Sequence, residues 1–145
     1  MDYRMMGDVC YIRMDRGDRM VACILEVCRR EGIASATYSG IGGCGSALLQ
    51  TFIPERGAFE TEELTGLLEL VSFTGNVIRD DAGQPHTHTH ALFAFVEDGQ
   101  PRVRGGHLKE TTVLYTAEIE LRPVKGGVIG YQYNAETGTG FWKLN

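Results

Sequence analysis

Apolar and polar positions alternate along most of this chain, with one early segment where the period lengthens. Val9-Cys10-Tyr11-Ile12-Arg13-Met14 reads as a first strand, closed by the turn-like Asp15-Arg16-Gly17. Val21, Ile24, Leu25 and Cys28 then recur at i, i+3, i+4 and i+7, the spacing that puts side chains on one buried helix face. Arg19, Glu26, Arg29 and Arg30 populate the other face, Asp18 is placed to cap the helix, and Gly32 suits a left-handed stop. After it, β-prone runs alternate with glycine turns over residues 33–41, 46–52, 67–78, 87–96, 102–108 and 112–121. Most of the chain is therefore expected to be sheet.

Two segments fall outside this alternation. Gly42-Gly43-Cys44-Gly45 has the glycine content of a phosphate cradle but lacks the Lys-Ser/Thr of a P-loop, and strand-like sequence flanks it on both sides. It is read as a tight crossing between strands. Thr61-Glu62-Glu63-Leu64-Thr65-Gly66 is acidic and is read as one helical turn with solvated carboxylates.

A chain of 145 residues fits a single domain, 1–145, with its own core. With 43% hydrophobic and 23% charged residues the composition is that of an ordinary globular protein, which argues against disorder. Apolar stretches fall far short of the roughly 20 residues that span a bilayer, and the N-terminal residues lack the apolar core of a signal peptide. A cytoplasmic protein with no membrane partner is expected. Net charge of −5 argues against binding through phosphate neutralisation, so direct DNA binding is disfavoured; Arg29-Arg30 and the group Arg102, Arg104 and Lys109 are the only basic clusters. Cys10, Cys23, Cys28 and Cys44 show neither zinc-ribbon spacing nor a secreted disulfide framework, and are expected to be buried reduced thiols, with Cys44 in its glycine-rich setting a minor site candidate.

The histidines change the picture most. Three of the four lie in His86-Thr87-His88-Thr89-His90, and the fourth is in Gly105-Gly106-His107. In an extended strand alternate side chains share a face at steps of roughly 6.6 Å, whereas on a helix the same residues would fan apart. The β-branched threonines and the subsequent Ala91-Leu92-Phe93-Ala94-Phe95-Val96 favour the strand. Imidazoles at i and i+2 can tilt toward one ion, and a histidine from another strand could complete a three-nitrogen set with a fourth position left open. An open position can take a ligand anion or activate water. The competing reading is a polar surface strand with histidine on one face and threonine on the other.

The order of motifs along the chain resembles a known family. Gly32-Ile33-Ala34-Ser35-Ala36, Ser39-Gly40-Ile41-Gly42, Leu68-Glu69-Leu70-Val71-Ser72-Phe73-Thr74-Gly75-Asn76, Pro85 to Ala91, Gly105-Gly106-His107-Leu108 and Thr116-Ala117-Glu118-Ile119 succeed one another as in the plants-and-prokaryotes-conserved (PPC) domain. The resemblance covers about residues 9–121 and leaves 122–145 as a C-terminal extension. It implies a single-domain α+β fold, a largely antiparallel sheet with one main packed helix, assembled as a homotrimer. It also implies bound zinc at His88, His90 and His107, with His86 an extra, accessory position. Glu69 and Glu118 are the acidic positions of the motifs and accessory candidates for orienting a ligand imidazole. Plant members join this domain to AT-hooks, the origin of a predicted DNA-binding label for prokaryotic relatives. Arg102-Val103-Arg104-Gly105 does not supply a hook's Arg-Gly-Arg-Pro core. Where plant domains carry the partner-contacting Gly-Arg-Phe-Glu-Ile-Leu, this chain has Gly66-Leu67-Leu68-Glu69-Leu70-Val71, without the arginine. Two functions are compatible with these residues: a trimeric zinc protein with an open three-histidine site for an unidentified ligand or substrate, or a DNA-associated regulatory interaction protein whose metal is structural. The residues leave open whether the chain is an enzyme.

Overall fold

The computed structural model describes residues 1–80, 82–136 and 139–144. The strands are β1 (Asp2–Met6), β2 (Val9–Asp15), β3 (Ala36–Ile53), β4 (Ala58–Arg79), β5 (Pro85–Glu97), β6 (Gln100–Pro123), β7 (Ile129–Asn134) and β8 (Thr139–Leu144), with the helix α1 (Met20–Arg30) between β2 and β3. They form one sheet in the order β1-β2-β6-β3-β4-β7-β8, and β5 pairs with both β4 and β6. Because β3 also pairs with β4 and β6, these four long strands close into a ring. Pairing is antiparallel except for a single parallel contact between Arg79 and Gly130. A mostly antiparallel sheet with one helix agrees with the α+β expectation, the helix being a minor part.

Alternation places the core. In β2, Cys10, Ile12 and Met14 are buried while Tyr11 and Arg13 face outward. In β4 the buried set is Leu64, Leu68, Leu70, Phe73, Val77 and Ile78, and its phase slips by one residue between Leu70 and Phe73. The slip coincides with irregular pairing between Leu70 and Ser72, and opposite it on β3 between Gly40 and Gly42. An extra residue at a bulge reverses the inward face of the strand beyond it. Met20, Val21, Ile24, Val27 and Cys28 of α1 pack into the same core, with Leu25 at its edge.

Several expectations are corrected. Gly42 to Gly45 is not a crossing: it lies within the continuous β3, which takes in the run 33–41 from Ala36 onward and the run 46–52 and is bulged at Gly40/Gly42 and Cys44/Ser46. Residues 61–66 are not a helical turn but part of β4, with Thr61 to Thr65 paired residue for residue with Gln50 to Ser46. Runs 102–108 and 112–121 likewise fuse into β6. Asp18 does not cap α1; its carboxylate accepts the Asp15 N–H, and the N-cap position is Arg19. The free N–H groups of Val21 and Ala22 donate instead to the two carboxylate oxygens of Glu110 on β6, at 2.8 and 3.4 Å. Gly32 does take the left-handed conformation, φ 64°, after the helix. All four cysteines are free thiols. Burial pushes Cys28 up to about 11, and Cys44 is packed into the core against Met20 Sδ, so it lines no site.

Candidate metal centre

β5 divides its side chains as the alternation predicts. Thr89 points inward and is 3% exposed, its hydroxyl 2.5 Å from that of the buried Tyr38, while His88 and His90 face outward. Gly75 of β4, opposite Thr89, lies over this pair: a Cβ there would fall 2.5 Å from both the Tyr38 hydroxyl oxygen and the His88 carbonyl oxygen. His90 stands directly across from His107, and this pairing ends the β5/β6 ladder. His107 pairs on its other side with Gln50 of β3. The third histidine therefore sits where β6 leaves β5 to join β3, at a seam of the closed ring. Gly106 allows that crowded passage, since a Cβ there would approach the Gln50 carbonyl oxygen to 2.8 Å.

Three ring nitrogens converge at this seam. His88 Nε2 is 3.2 Å from His90 Nε2 and 3.2 Å from His107 Nδ1, and the last two are 3.1 Å apart. A neutral imidazole nitrogen is either a donor or an acceptor, never both. Around a triangle, two-valued roles cannot alternate, so at least one pair must set lone pair against lone pair or N–H against N–H. Three lone pairs aimed at one cation remove that conflict. The nitrogens of a tetrahedral zinc site, with bonds of about 2.0–2.1 Å, stand about 3.3 Å apart, close to the spacing observed. The residues present thus fit a divalent ion held through two Nε2 atoms and one Nδ1. Desolvation lowers the pKa of His88 and of His107, and the neighbouring imidazoles lower both further, which favours the neutral, ligating form. The edge of His107 also meets the ring of Phe59, with centroids 5.3 Å apart.

The model of the Plants and Prokaryotes Conserved (PCC) domain matches residues 1–125. The chain belongs to this family. A PPC protein of Pyrococcus horikoshii is 32% identical, with 98% of this chain and 94% of that one covered at a TM-score of 0.81. The metal-containing protein of Archaeoglobus fulgidus is 30% identical, with 99% of each chain covered at a TM-score of 0.81. A protein of Bacteroides thetaiotaomicron with a provisional DNA-binding label superposes at a TM-score of 0.87 over 99% of this chain and 96% of its own; at 22% identity it speaks for the fold alone. Comparison with curated proteins gives no match.

Within this PCC-domain chain the other candidates lie apart from the triad. His86 pairs with Ile78 near the start of β5 and is outside the converging group. Glu69 pairs with Ala94, four residues along β5 from His90 and so about 13 Å away at 3.3 Å per residue. Glu118 lies further along β6 than His107, between Arg13 of β2 and Ile41 of β3. Both carboxylates are exposed and line a different cavity of about 430 Å³ with Ile41, Val71 and Tyr115. Neither belongs to the converging group within this chain. What sequence reasoning missed is the polar floor beside the triad. Thr37, Asn76 and His88 form one row across β3, β4 and β5, and Ser39, Thr74, His90 and His107 form the next across β3 to β6. Trp142 of β8 stands over this floor as a wall of a cavity of about 310 Å³. No motif flags these residues, because their common feature is cross-strand register.

Proposed function

We propose that this chain is a zinc-binding protein of the PCC family that works as a homotrimer, with His88, His90 and His107 as its three protein ligands and a fourth position open to a small ligand or substrate. The observation that carries the reading is the triangle of ring nitrogens 3.1–3.2 Å on a side, a donor arrangement that neutral histidines cannot satisfy among themselves. The metal-containing relative from Archaeoglobus fulgidus supports it. Three nitrogen ligands and an open place are the pattern of catalytic rather than structural zinc, and bound there zinc would supply Lewis acidity. The homotrimer rests on the family resemblance and on an outward sheet face rich in exposed apolar residues: Ile41 is 57% exposed, Val71 50% and Tyr115 65%. A cytoplasmic location is part of the proposal; no helix among the described residues is long and apolar enough to cross a membrane.

Elemental analysis of tag-free protein, before and after chelation, tests the site. About one zinc per chain in the wild type and none in the His88→Ala/His90→Ala double variant is expected. Full zinc in the double variant would overturn the ligand assignment.

A second reading, in which the domain serves as a DNA-associated regulatory module with a structural metal, draws on the provisional label of its structural neighbours. Net charge of −5 weighs against direct phosphate contact.

A further inference from the structure

Outside the core, one pair of aromatic rings stands against the candidate centre. Phe52 and Phe59 face each other across β3 and β4, beside the short turn Pro54–Arg56 that closes this hairpin. Both are about half exposed, and neither joins the hydrophobic core. Phe52 meets Phe59 at a centroid distance of 5.3 Å and an angle of 65°, and Phe59 meets His107 at 5.3 Å and 78°, the near-perpendicular contact that aromatic rings favour. From His107 the ring contacts run on to His90 at 4.3 Å and to His88 at 5.0 Å.

The atom that His107 offers makes this contact consequential. It joins the triangle through Nδ1, whereas His88 and His90 use Nε2. An imidazole lone pair lies in the plane of its ring, so any rotation about the Cβ–Cγ bond swings Nδ1 and its lone pair off the ion. Metal-bound histidines are commonly held against such rotation by donating their other ring N–H to a carboxylate or a backbone carbonyl. Among the described residues His107 has no such anchor, because its ring makes hydrogen-bond contacts only through Nδ1. Gln50, directly across from it on β3, turns its amide to Thr61 Oγ1 at 3.1 Å instead. Ring packing is what remains to hold the imidazole, and outside the triad Phe59 supplies it.

We propose that Phe59, braced by Phe52, is a positioning residue of the metal centre: it fixes the plane of the His107 imidazole so that the Nδ1 lone pair stays aimed at the ion. This rests on the three-histidine reading of the centre. Phe59 acts through His107 and takes no part in ligation itself. Two half-exposed phenylalanines at the end of a hairpin, which the core does not use, thereby acquire a task at the site.

The test measures cobalt affinity of the full chain, freed of metal, by competition with a chromophoric chelator, and records the visible spectrum of the cobalt-loaded form. Phe59→Ala is expected to weaken cobalt binding about 10- to 100-fold, the range for losing a residue that orients a metal ligand, and to move the visible bands toward those of His107→Ala. Phe59→Tyr, which keeps the ring, should restore both. In a His107→Ala background Phe59→Ala should cost nothing further, because the two residues act as one unit. Should Phe59→Ala fail to fold, Phe59→Leu, which keeps apolar bulk without the ring, stands in for it. Unchanged affinity and spectrum in the variant overturn the role. So does a Phe59→Tyr protein as weak as Phe59→Ala, or an undiminished loss in the His107→Ala background. Failure of the wild type to bind cobalt overturns the metal reading, and this proposal with it.

Discussion

A single hydroxyl pair links the core to the candidate centre. Tyr38 and Thr89 are both buried and face each other across 2.5 Å, directly beneath the strand that carries His88 and His90. Burial keeps the Tyr38 phenol protonated far above its ordinary range. Tyr38→Phe leaves the Thr89 hydroxyl without this partner and should cost about 1–3 kcal/mol in denaturant unfolding, with Thr89→Val added on top recovering part of that loss. Strict additivity of the two changes would contradict the pairing. The histidines themselves make a pH prediction. His88 and His107 have folded pKa values below the unfolded value of about 6.5, so the folded chain binds fewer protons than the unfolded chain as pH falls. Their contribution is fully present above about pH 6.5 and is lost as pH drops through the lowered values. Melting temperatures of the chelated protein should decline below pH 6.5, and His88→Ala should flatten that decline. Parallel curves for the two proteins would remove the histidines as its cause. At this scale the alternation already put His88 and His90 on one face. His86 is left out of the cluster by distance along the strand: His107 stands across from His90, so His88 is one two-residue step from it and His86 two.

At the scale of elements, the helix illustrates how local signals mislead. Asp18 has the right chemistry for a cap, yet its carboxylate is engaged with the Asp15 N–H inside the preceding turn. Glu110 takes the role from 89 residues away, accepting from Val21, and also pairs with Arg19 at 3.4 Å. Glu110→Ala should destabilise the protein by about 1 kcal/mol, the size of a lost cap, and speed amide exchange in the first turn of α1. Unchanged exchange at Val21 and Ala22 would refute that role. The strands carry a matching lesson. The glycine cluster at 42–45 reads as a crossing between strands, but in β3 it absorbs a bulge and close contacts within one continuous strand. A period-two pattern broken by one residue looks like the end of a strand when seen alone, and only the partner strand distinguishes a bulge from a turn. Gly75→Ala should disturb the core pair and the His88 backbone together, lowering both stability and metal content.

The whole molecule raises the question of what covers its outward face. Ile41, Leu67, Val71 and Tyr115 are each about half exposed or more, an apolar surface that favours burial in an assembly. Light scattering at micromolar concentration is expected to return three times the mass of the chain; a monomer would end the trimer proposal. Charge belongs to this scale too. With a net charge of −5, binding to random duplex should be weak at physiological salt, and a steep fall of affinity with added salt would revive the DNA reading. What the sequence alone determined is the content of local periodicity: a sheet-dominated chain with one early amphipathic helix, the buried face of that helix, and histidines sharing one face of a strand. Motif order added the family, with His107 as the third position. Ring closure, the bulges, the cap from Glu110, the joining of His107 to His88 and His90, and the separation of Glu69 and Glu118 from them were decided by tertiary structure. The physical reason is that periodicity fixes which way a side chain points from its own strand, whereas cross-strand register fixes what it meets, and register is set by pairings between residues far apart in the chain.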